Sequence, residues 1–584
     1  MKPVPTVLLE SFRAGEFDRS FRFDSPERII TAATQAEVIP ALQEVEAAVE
    51  AGFHAAGFIC YEAAPALNPD LPESRTSCLP LVWFGIFRER VEVAAGTAGG
   101  SVSECVLSPL TSSVCRDEHR AAVSAIRDYI EAGHTYQVNY TFRQRFRFGG
   151  DPFALYRRVC RNQQSAFSAW IDAGRYRIIS ASPELFFALR DGCVTMRPMK
   201  GTAQRSSVPG EDRAAREFLR ESPKERAENL MIVDMVRNDL AVIAVPGTVS
   251  VSSLFTVETY PTVHQMTSTV TAQIDQGRSL IDIFRALFPC GSVTGAPKRR
   301  TMEIIADLEH EPRGGYCGAV GFISPGREAV FSVGIRTAVL DSPAGTGELG
   351  VGSGITWDSE AAAEYEECFT KGAFLIEQHG MFNLLESILW EDGDYFLLDR
   401  HLKRLACSAR FFGFLYDEES IRGRLASAAS EITGASKVRL ILNPCGGFAV
   451  EALPLPQQSS TDPAPITVAS YRVNSRDPFL YHKTSRRERY EEERLLRPDC
   501  ADVIFLNERG EVTEGSYTNV VVRLNGRLVT PPVSSGLLPG IFREVLLEGG
   551  IISEQSITLE DLRAADGIKL INSVRGWRKV YLTE

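Results

Sequence analysis

Ser222-Pro-Lys-Glu-Arg-Ala-Glu-Asn-Leu-Met-Ile-Val-Asp234 begins a helical pattern that extends to Leu240. Glu225 and Glu228 lie three residues apart in this pattern, so both carboxylates face the same side of the helix. Glu228 precedes the apolar residues by one turn, which places it at the edge of the apolar stripe. The stretch therefore predicts a packed helix with two carboxylates beside its buried face.

A second helical pattern has the same arrangement of acids. Ala361-Ala-Ala-Glu-Tyr-Glu-Glu-Cys-Phe-Thr-Lys371 places Glu364 and Glu367 three residues apart, with Lys371 one turn after Glu367. Like charges one turn apart destabilise a helix by about a few tenths of a kcal/mol, and by more where they are partly buried, unless a cation lies between them. Oxygen ligands of this kind favour Mg²⁺. Glutamates are also good helix formers that commonly face solvent, so spacing alone leaves both interpretations open.

The composition is typical of a soluble protein with several domains. The chain has 584 residues, 44% hydrophobic and 24% charged, more than one hydrophobic core normally supports. A net charge of −12 argues against nucleic acid and anionic membranes as partners. No apolar stretch is long enough for a signal peptide or a bilayer span, so we expect a cytoplasmic protein. Twelve cysteines without a C-x-x-C pair indicate reduced thiols rather than a disulfide framework or zinc site.

Shifts in pattern divide the chain into two domains. Residues 1–378 mix strand-like runs, such as 329–335, with long helical patterns such as 359–378, which predicts an α+β domain of enzyme size. The second domain, 379–584, begins with strand, turn and strand up to residue 398.

A helix over 401–412 follows in the second domain. A Pro- and Ser-rich interval at 453–465 then divides this domain into lobes near 380–452 and 466–584. The join between the two domains is short.

Met196-Arg-Pro-Met-Lys-Gly-Thr-Ala-Gln204 places Lys200 directly before a glycine. The apolar residues before it predict a strand over 193–199 that runs into a loop. Lysines in loops are commonly solvated, and position alone favours that interpretation. The alternative is an amine that acts as a nucleophile.

Several segments of the first domain occur in a recognisable order. They are Gly133-His-Thr-Tyr-Gln-Val-Asn139, Ser182-Pro-Glu-Leu-Phe186, the stretch 227–240, Phe288-Pro-Cys-Gly-Ser-Val-Thr-Gly-Ala-Pro-Lys298 and Gly334-Ile-Arg-Thr337. Together they resemble the chorismate-utilising enzymes. The resemblance implies an α/β sandwich like that of anthranilate synthase component I, with chorismate as substrate and Mg²⁺ as cofactor. Leu8-Leu-Glu-Ser11 resembles the N-terminal tract of these enzymes more weakly, which leaves open both a tryptophan-binding pocket and an ordinary strand.

The resemblance also implies roles for individual residues. Glu228 and Glu367 would coordinate Mg²⁺, with Glu225 and Glu364 close by. Glu184 would be the general acid that protonates the departing 4-hydroxyl. His264 matches an active-site histidine, although a lone histidine is more often structural. Chorismate is a dicarboxylate, and the residues implied to bind it are Arg336, Tyr316, Lys371, Thr202, Gly352 and Gly354.

The residue in the Lys200 position separates activities within this family. The resemblance implies alanine there in anthranilate and isochorismate synthases, and lysine in aminodeoxychorismate synthases. An amine can attack C2 of the ring with loss of the 4-hydroxyl, and ammonia can then displace that amine by bonding at C4. Attack requires a neutral amine, so we expect Lys200 to have a lowered pKa. Isochorismate-type enzymes are implied to use a lysine to activate water at the position where this chain has Gln137. A second departure from the family pattern is Asn229, which stands where histidine is usual.

Four segments of the second domain also occur in a recognisable order: Tyr481-His-Lys-Thr-Ser-Arg-Arg-Glu-Arg-Tyr490, Val512-Thr-Glu-Gly-Ser-Tyr-Thr-Asn519, Leu537-Leu-Pro-Gly-Ile-Phe-Arg543 and Asn572-Ser-Val-Arg575. They resemble the fold-type IV enzymes that use pyridoxal 5'-phosphate (PLP), which implies a two-lobed domain. Lys483 would bind the cofactor aldehyde, and Glu514 would hold the pyridine nitrogen protonated. The residues implied for its phosphate are Arg404, Ile541, Phe542 and Ser573, partly through a turn that opens a helix.

The two resemblances together imply synthesis of 4-aminobenzoate. The first domain would aminate chorismate to 4-amino-4-deoxychorismate, and the second would remove pyruvate from that product. We find no glutaminase motif, so we expect ammonia from a separate glutamine amidotransferase subunit. The PLP fold alone leaves lyase and transaminase chemistry open. The alternative is therefore an anthranilate synthase component I fused to a branched-chain or D-amino-acid aminotransferase.

Overall fold

The computed structural model describes residues 4–583 except 14, 16, 74, 97–104, 207–208, 261–262, 276, 377–381, 445 and 456–462. The chain forms two compact units. Unit 1 comprises Met1–Gln204 and Arg216–His379, and unit 2 comprises Arg205–Ala215 and Gly380–Glu584. The boundary predicted at 378–379 and much of the interval 453–465 lie outside the described residues.

Unit 1 is built on antiparallel strands. In chain order they are β1 (Val7–Glu10), β2 (Ser20–Phe23), β3 (Arg28–Ala32), β4 (His54–Ile59), β5 (Val82–Phe87), β6 (Val91–Val93), β7 (Cys105–Leu107), β8 (Thr111–Ser112), β9 (Gln137–Gly150), β10 (Phe167–Ala173), β11 (Tyr176–Ser182), β12 (Leu185–Arg190), β13 (Cys193–Arg197), β14 (Met199–Gln204), β15 (Ser250–Thr259), β16 (Val263–Gln273), β17 (Gly295–Ala296), β18 (Ala319–Ser324), β19 (Glu328–Val333), β20 (Thr337–Asp341) and β21 (Thr346–Ile355).

These strands form two large sheets. Sheet 1 has the order β17-β9-β21-β20-β11-β10-β1-β2-β6, with β7 and β8 paired to β9. Sheet 2 has the order β14-β16-β13-β12-β19-β18-β4-β5-β3, with β15 paired to β16. Phe23 and Ile178 of sheet 1 share one buried cluster with Phe58 and Phe322 of sheet 2, so the sheets pack face to face. The predicted α+β class and sandwich are confirmed.

Helices cover the outer faces of the two sheets. They are α1 (Gln35–Glu50), α2 (Ala64–Leu67), α3 (Arg116–Glu131), α4 (Pro152–Gln163), α6 (Pro223–Ala241), α7 (Leu280–Leu287), α8 (Lys298–Leu308) and α9 (Ala361–Gly372). Helix α5 (Pro209–Glu221) is divided between the two units at Ala215. Leu42 of α1, Ile232 of α6 and Phe284 of α7 belong to the core cluster on sheet 2. Tyr156 of α4 and Cys368 of α9 belong to the cluster on sheet 1.

Local sequence explains where α6 begins. The Ser222 hydroxyl accepts a hydrogen bond from the Glu225 amide at 3.4 Å, and Pro223 occupies the first helical position. This start was predicted. The helix predicted over 359–378 is shorter, because α9 ends at Gly372 and a single 3₁₀ turn, Ala373–Leu375, follows it.

Lys200 lies in a strand, so the predicted loop is wrong. Pro198 separates β13 from β14, but both strands pair with β16, in which Val270 lies opposite Met196 and Thr267 opposite Met199. These partners are far away in sequence, which is why a local pattern suggested that the strand had ended.

Leu8-Leu-Glu-Ser11 contributes most of β1. The buried Glu10 carboxylate accepts a hydrogen bond from the Tyr156 hydroxyl at 2.7 Å and pairs with Arg157 at 3.2 Å. The eleven cysteines in the described part of the chain are unpaired thiols. None of the described helices is both long and apolar enough to cross a bilayer.

Unit 2 has a small and a large sheet. The small sheet, in the order β23-β22-β24-β25, contains β22 (Leu384–Glu391), β23 (Asp394–Tyr395), β24 (Ser436–Leu442) and β25 (Phe448–Pro454), and it packs with helices α10 (Leu398–Phe412) and α11 (Glu418–Ala429). The predicted helix 401–412 therefore begins three residues earlier. The second strand, predicted over 395–398, is instead Asp394–Tyr395, because the helix already begins at Leu398.

The large sheet of unit 2 curls into a barrel-like form. Its order is β28-β27-β26-β33-β32-β29-β30-β31, and an additional β28–β29 pairing joins distant members of that order. The strands are β26 (Ala464–Val473), β27 (Asp502–Asn507), β28 (Val512–Gly515), β29 (Asn519–Leu524), β30 (Arg527–Thr530), β31 (Ser553–Glu554), β32 (Gly567–Asn572) and β33 (Gly576–Leu582), and the helices are α12 (Glu488–Leu495), α13 (Ile541–Glu548) and α14 (Leu559–Ala564).

Candidate active sites

Lys200 of unit 1 lies among charged side chains from several elements. Its side chain is half-buried on β14, the last strand of sheet 2. Burial lowers the pKa of the Lys200 amine, and the cation of Lys371 lowers it further, against the opposing effect of nearby carboxylates. Those carboxylates are Glu228, Glu184 and Glu367. The structure therefore brings the predicted nucleophile, the predicted acid and predicted metal ligands into one electrostatic neighbourhood.

Gly354 of β21 closely approaches the Lys200 amine. A Cβ atom on Gly354 would lie 3.0 Å from Lys200 Nζ and 2.2 Å from Nε2 of Gln137. Gln137 is 1% exposed, and neither polar atom of its amide has a hydrogen-bond partner among the described residues. A buried, unpaired amide is costly, so a polar ligand beside Lys200 would stabilise it.

Glu184 lies in the connection between β11 and β12, where the chain passes from sheet 1 to sheet 2. It is 3% exposed, and burial raises its pKa to about 7, against hydrogen bonding from Ser292 and the charge of Lys200. The Met199 amide donates to Glu184 Oε1 at 3.4 Å. A substantial fraction of this carboxyl group therefore carries a proton near neutral pH and can act as an acid.

Asn229 connects α6 to the strand that carries Lys200. Its Nδ2 donates to the main-chain carbonyls of Lys200, at 3.2 Å, and Met266, at 3.4 Å. Its Oδ1 accepts from the Ser268 hydroxyl at 2.6 Å. Sequence reasoning noted Asn229 only as a departure from histidine at a presumed metal site, and the hydrogen bond to the Lys200 backbone was missed.

The glutamates of α6 and α9 lie close enough to influence each other electrostatically. Burial raises the pKa of Glu225, and the charge of Glu367 raises it further. Burial also raises the pKa of Glu228, and the charge of Glu364 acts in the same direction. The charge of Lys200 opposes both shifts. Their oxygen donors fit Mg²⁺, which Glu228 and Glu367 would hold. Among the described residues, however, no three acidic, His or Cys side chains form a ready metal cluster.

The expected dicarboxylate-binding residues also lie near α9. Lys371 Nζ lies 2.6 Å from Glu367 Oε1 and 3.1 Å from the Gly352 carbonyl. The Arg336 guanidinium donates to the Lys371 carbonyl. Tyr316 is buried against β21, where a Cβ on Gly350 would lie 2.1 Å from its ring. Lys371 therefore neutralises a predicted metal ligand.

His264 and Thr202 lie further along the same strands. His264 is 1% exposed on β16, opposite Ala203, and its Nδ1 is 3.1 Å from the Thr259 hydroxyl. Thr202 is exposed on β14, opposite Gln265.

Unit 2 contains a cavity of about 360 Å³ between residues of the small and large sheets. Lys483, Glu514, Arg404, Ile541 and Ser573 all line it. Burial lowers the pKa of Lys483 to about 7, and the cations of Arg487 and Arg404 act in the same direction. The predicted cofactor lysine can therefore present a neutral amine at physiological pH.

Glu514 is held from two sides. Its Oε1 accepts from the Tyr490 hydroxyl at 3.1 Å and its Oε2 from the Leu538 amide at 3.1 Å. Burial raises its pKa to about 7, against the charges of Arg487 and Lys483. A carboxyl group with this pKa can share a proton with a pyridine nitrogen, so this end of the cavity fits PLP.

Arg404 is oriented by Glu386, which sequence reasoning missed. Glu386 carries a buried carboxylate on β22, and its two oxygens accept from the Arg404 guanidinium at 2.9 and 2.7 Å. His401 Nδ1 lies 2.7 Å from the same carboxylate. The sequence offered one signal for Glu386: it is the only acid in the apolar strand Leu384-Leu-Glu-Ser-Ile-Leu389, and a buried acid needs a partner.

The N-terminus of α13 fits the predicted phosphate site. Gly540 precedes the helix, and a Cβ there would lie 2.0 Å from Asn519 Oδ1, so only glycine allows this approach. Ile541 lines the cavity. The ring of Phe542 instead packs toward Trp577, with centroids 6.1 Å apart, so Phe542 could contribute only its main chain.

Two parts of the chain each match a known protein family. Residues 9–377, well over half of the chain, match the family model described as chorismate binding enzyme. The chain belongs to the chorismate binding enzyme family. Residues 383–582 match the model for amino-transferase class IV. The predicted combination of a chorismate-utilising domain with a class IV aminotransferase-like domain is confirmed.

Individual curated relatives match about half of the chain. Aminodeoxychorismate synthase component 1 of Klebsiella aerogenes is 40% identical over 284 residues, which cover 49% of this chain and 62% of that protein. Anthranilate synthase component 1 of Cereibacter sphaeroides is 39% identical over 276 residues, covering 47% of this chain and 55% of that protein. The matches thus span less than two thirds of these relatives.

A solved structure shows the same fold in unit 1. Anthranilate synthase component I from Streptococcus pneumoniae superimposes with a TM-score of 0.54 and 24% sequence identity, covering 65% of this chain and 94% of that chain. Because relatives with both activity names are equally similar in sequence, the choice between them depends on the residues of the site.

Proposed function

We propose that this protein makes 4-aminobenzoate in two steps, from chorismate and ammonia. The observation that carries the proposal is the placement of Lys200: a half-buried amine with a lowered pKa, next to the buried acid Glu184 and the unpaired amide of Gln137. Anthranilate formation requires no amine nucleophile at this position. Lys200 therefore favours amination at C4 of the ring.

In the first step the neutral Lys200 amine bonds to C2 of chorismate. Both conjugated ring double bonds shift by one position, and the 4-hydroxyl leaves as water after taking a proton from Glu184. Ammonia then bonds to C4, both double bonds shift back, and the Lys200 amine is released after regaining the proton that the incoming ammonia gives up. Ammonia would come from a separate glutamine amidotransferase.

Residues around Lys200 support this step in different ways. Glu228 and Glu367 would hold Mg²⁺, whose charge would bind the ring carboxylate. Arg336 and Lys371 would bind the enolpyruvyl carboxylate once Lys371 has left Glu367. The Gln137 amide can donate to substrate but cannot act as a base, which disfavours addition of water.

In the second step 4-amino-4-deoxychorismate enters the unit 2 cavity. When bound, PLP supplies an electron sink for the carbon that bears the amine. Lys483 removes the proton from C4, pyruvate leaves from C3, and the ring becomes aromatic. Glu514 holds the pyridine nitrogen protonated, and Arg404 binds the phosphate.

Mass spectrometry of the products tests the proposal. The purified chain with chorismate, Mg²⁺, ammonium and PLP is expected to yield 4-aminobenzoate and pyruvate. Lys200→Ala should impair amination strongly, and Lys483→Ala should accumulate 4-amino-4-deoxychorismate. Lys403→Ala, at an exposed position of α10, is the matched control. Release of anthranilate instead, or full amination by Lys200→Ala, would reject the proposed first step.

A further inference from the structure

The cofactor cavity of unit 2 contains more positive charge than a cofactor requires. Six basic side chains and two carboxylates line it, in a chain whose net charge is −12. Lys483 and Arg404 are assigned to the PLP aldehyde and phosphate. Arg487 donates to the Ser516 carbonyl and lies 4.5 Å from the centre of the Tyr490 ring. Three basic residues remain, Lys437, Arg494 and Arg575, which we call the cationic cluster.

The cationic cluster combines both sheets of unit 2. Lys437 projects from β24 of the small sheet and is half-buried. Arg494 ends α12 and lies 5.2 Å from the centre of the Tyr517 ring. Arg575 occupies the turn between β32 and β33, where Asn572 Oδ1 accepts from its amide at 2.8 Å. Packing and turn geometry thus hold three cations in the lining of one cavity.

In the described part of the chain, none of the three residues forms a salt bridge or a side-chain hydrogen bond, although the exposed Glu491 also lines the cavity. Burial lowers the pKa of Lys437, and the cations of Arg439, Arg575 and Arg494 lower it further. Like charges that converge without partners destabilise the folded protein, and an anionic ligand removes that penalty. Arg494 and Arg575 are exposed, so the ligand's charges belong at the mouth of the cavity.

We infer that Lys437, Arg494 and Arg575 bind the carboxylates of a small cyclic dicarboxylate whose amine reaches the cofactor. This inference rests on the proposed function, because it concerns the substrate of the second step. In 4-amino-4-deoxychorismate the ring carboxylate lies opposite the C4 amine, and the second carboxylate extends from C3. When the amine is at Lys483, the ring carboxylate lies across the ring from it and the second carboxylate extends to the side from C3, so both are within the cavity that the cationic cluster lines.

Isophthalate, a planar dicarboxylate without an amine, tests the site without turnover. Its binding to the PLP-loaded protein is followed through the cofactor absorbance, with benzoate as the monocarboxylate comparison. Lys437→Gln and Arg575→Gln should each weaken isophthalate binding roughly tenfold, since a charge-assisted hydrogen bond is lost. Arg424→Gln, at an exposed position of α11 and outside the cavity lining, is the matched control. Lys437→Arg should restore most of the affinity.

The PLP content of each variant shows whether its cavity has folded. Unchanged isophthalate affinity in PLP-loaded Lys437→Gln and Arg575→Gln would overturn the inference. Steady-state kinetics with 4-amino-4-deoxychorismate separates the two proposals. If the unmodified protein makes 4-aminobenzoate but both variants keep its KM, the inference fails and the proposed function stands. If no 4-aminobenzoate forms while isophthalate binding depends on these cations, the proposed function fails and the dicarboxylate site stands.

Discussion

The side-chain amide of Asn229 donates a hydrogen bond to the main-chain carbonyl of Lys200 over 3.2 Å. Asn229 belongs to α6, the helix that carries Glu225 and Glu228, and Lys200 belongs to an edge strand. An edge strand has a partner on one side only, so this contact fixes the distance between the proposed nucleophile and the proposed metal ligands.

Asn229→Ala is expected to lower the rate of chorismate amination by about tenfold, because the Lys200 backbone and the Ser268 hydroxyl lose a buried partner worth about 1–3 kcal/mol. Lyase activity with supplied 4-amino-4-deoxychorismate should not change and serves as an internal control. Asn238→Ala, at an exposed position of the same helix, is the matched variant. Equal amination rates for the two variants would show that Asn229 does not position Lys200.

Local signals in the sequence predicted part of this arrangement. The helical pattern predicted to begin at Ser222 corresponds to α6, and its periodicity placed Glu225 and Glu228 on one face. Nucleophilic attack by an amine requires a lowered pKa for Lys200, and its pKa is lowered by burial. Each of these features depends on residues within a few positions of each other, or on a family resemblance.

Contacts between distant residues could not be predicted in this way. Asn229 and Lys200 are 29 residues apart, and their hydrogen bond depends on how α6 packs against β14. The same holds for β14 itself, whose partner strand begins at Val263. Glu386 and Arg404 were each visible as charged residues, but only the packing of α10 on β22 shows that one orients the other.

Lys371→Met should change Mg²⁺ binding and chorismate binding in opposite directions. Lys371 pairs with Glu367 at 2.6 Å, and the two side chains are 30% and 48% exposed. A partly exposed pair contributes at most about 1 kcal/mol, so freeing Glu367 should tighten Mg²⁺ binding by up to about fivefold. The KM for chorismate should rise because a carboxylate partner is lost.

Calorimetric titration of substrate-free protein with Mg²⁺ measures the first effect, and steady-state kinetics the second. Lys403→Met is the control. Weaker Mg²⁺ binding in Lys371→Met would contradict the competition between Lys371 and the metal for Glu367.

Glu386→Gln is expected to weaken PLP binding by about tenfold and to destabilise unit 2 by ~3 kcal/mol, because the mostly buried Arg404 loses its counter-charge. Although burial alone would raise the pKa of Glu386, Arg404 and His401 hold it at about 2. The lowered folded-state pKa means that this carboxylate stabilises the fold above about pH 4.3, the value of an unfolded glutamate. That contribution is lost as the pH falls from there toward 2.

Unfolding measurements at pH 7 and pH 3 on the Gln variant and the unmodified protein check the sign. The stability difference should shrink in acid. Glu391→Gln, at the exposed end of the same strand, should match the unmodified protein at both pH values. A difference that persists unchanged at pH 3 would show that the charge of Glu386 is not what stabilises unit 2.

The rate at which apoprotein binds PLP should depend on the protonation of Lys483. Burial and the neighbouring cations Arg487 and Arg404 lower the pKa of this amine to about 7, and only the neutral amine attacks an aldehyde. Incorporation should therefore be slow in acid and level off above about pH 7, far below the value of about 10.4 for an ordinary lysine. Arg487→Gln removes a repelling cation, which raises the pKa of Lys483 and moves the inflection of the rate to higher pH.

Stopped-flow absorbance across the pH range measures the rate in both proteins, with the exposed Arg489→Gln as control. An inflection near 10 in the unmodified protein, or no movement in Arg487→Gln, would contradict this account of how the cavity activates its lysine.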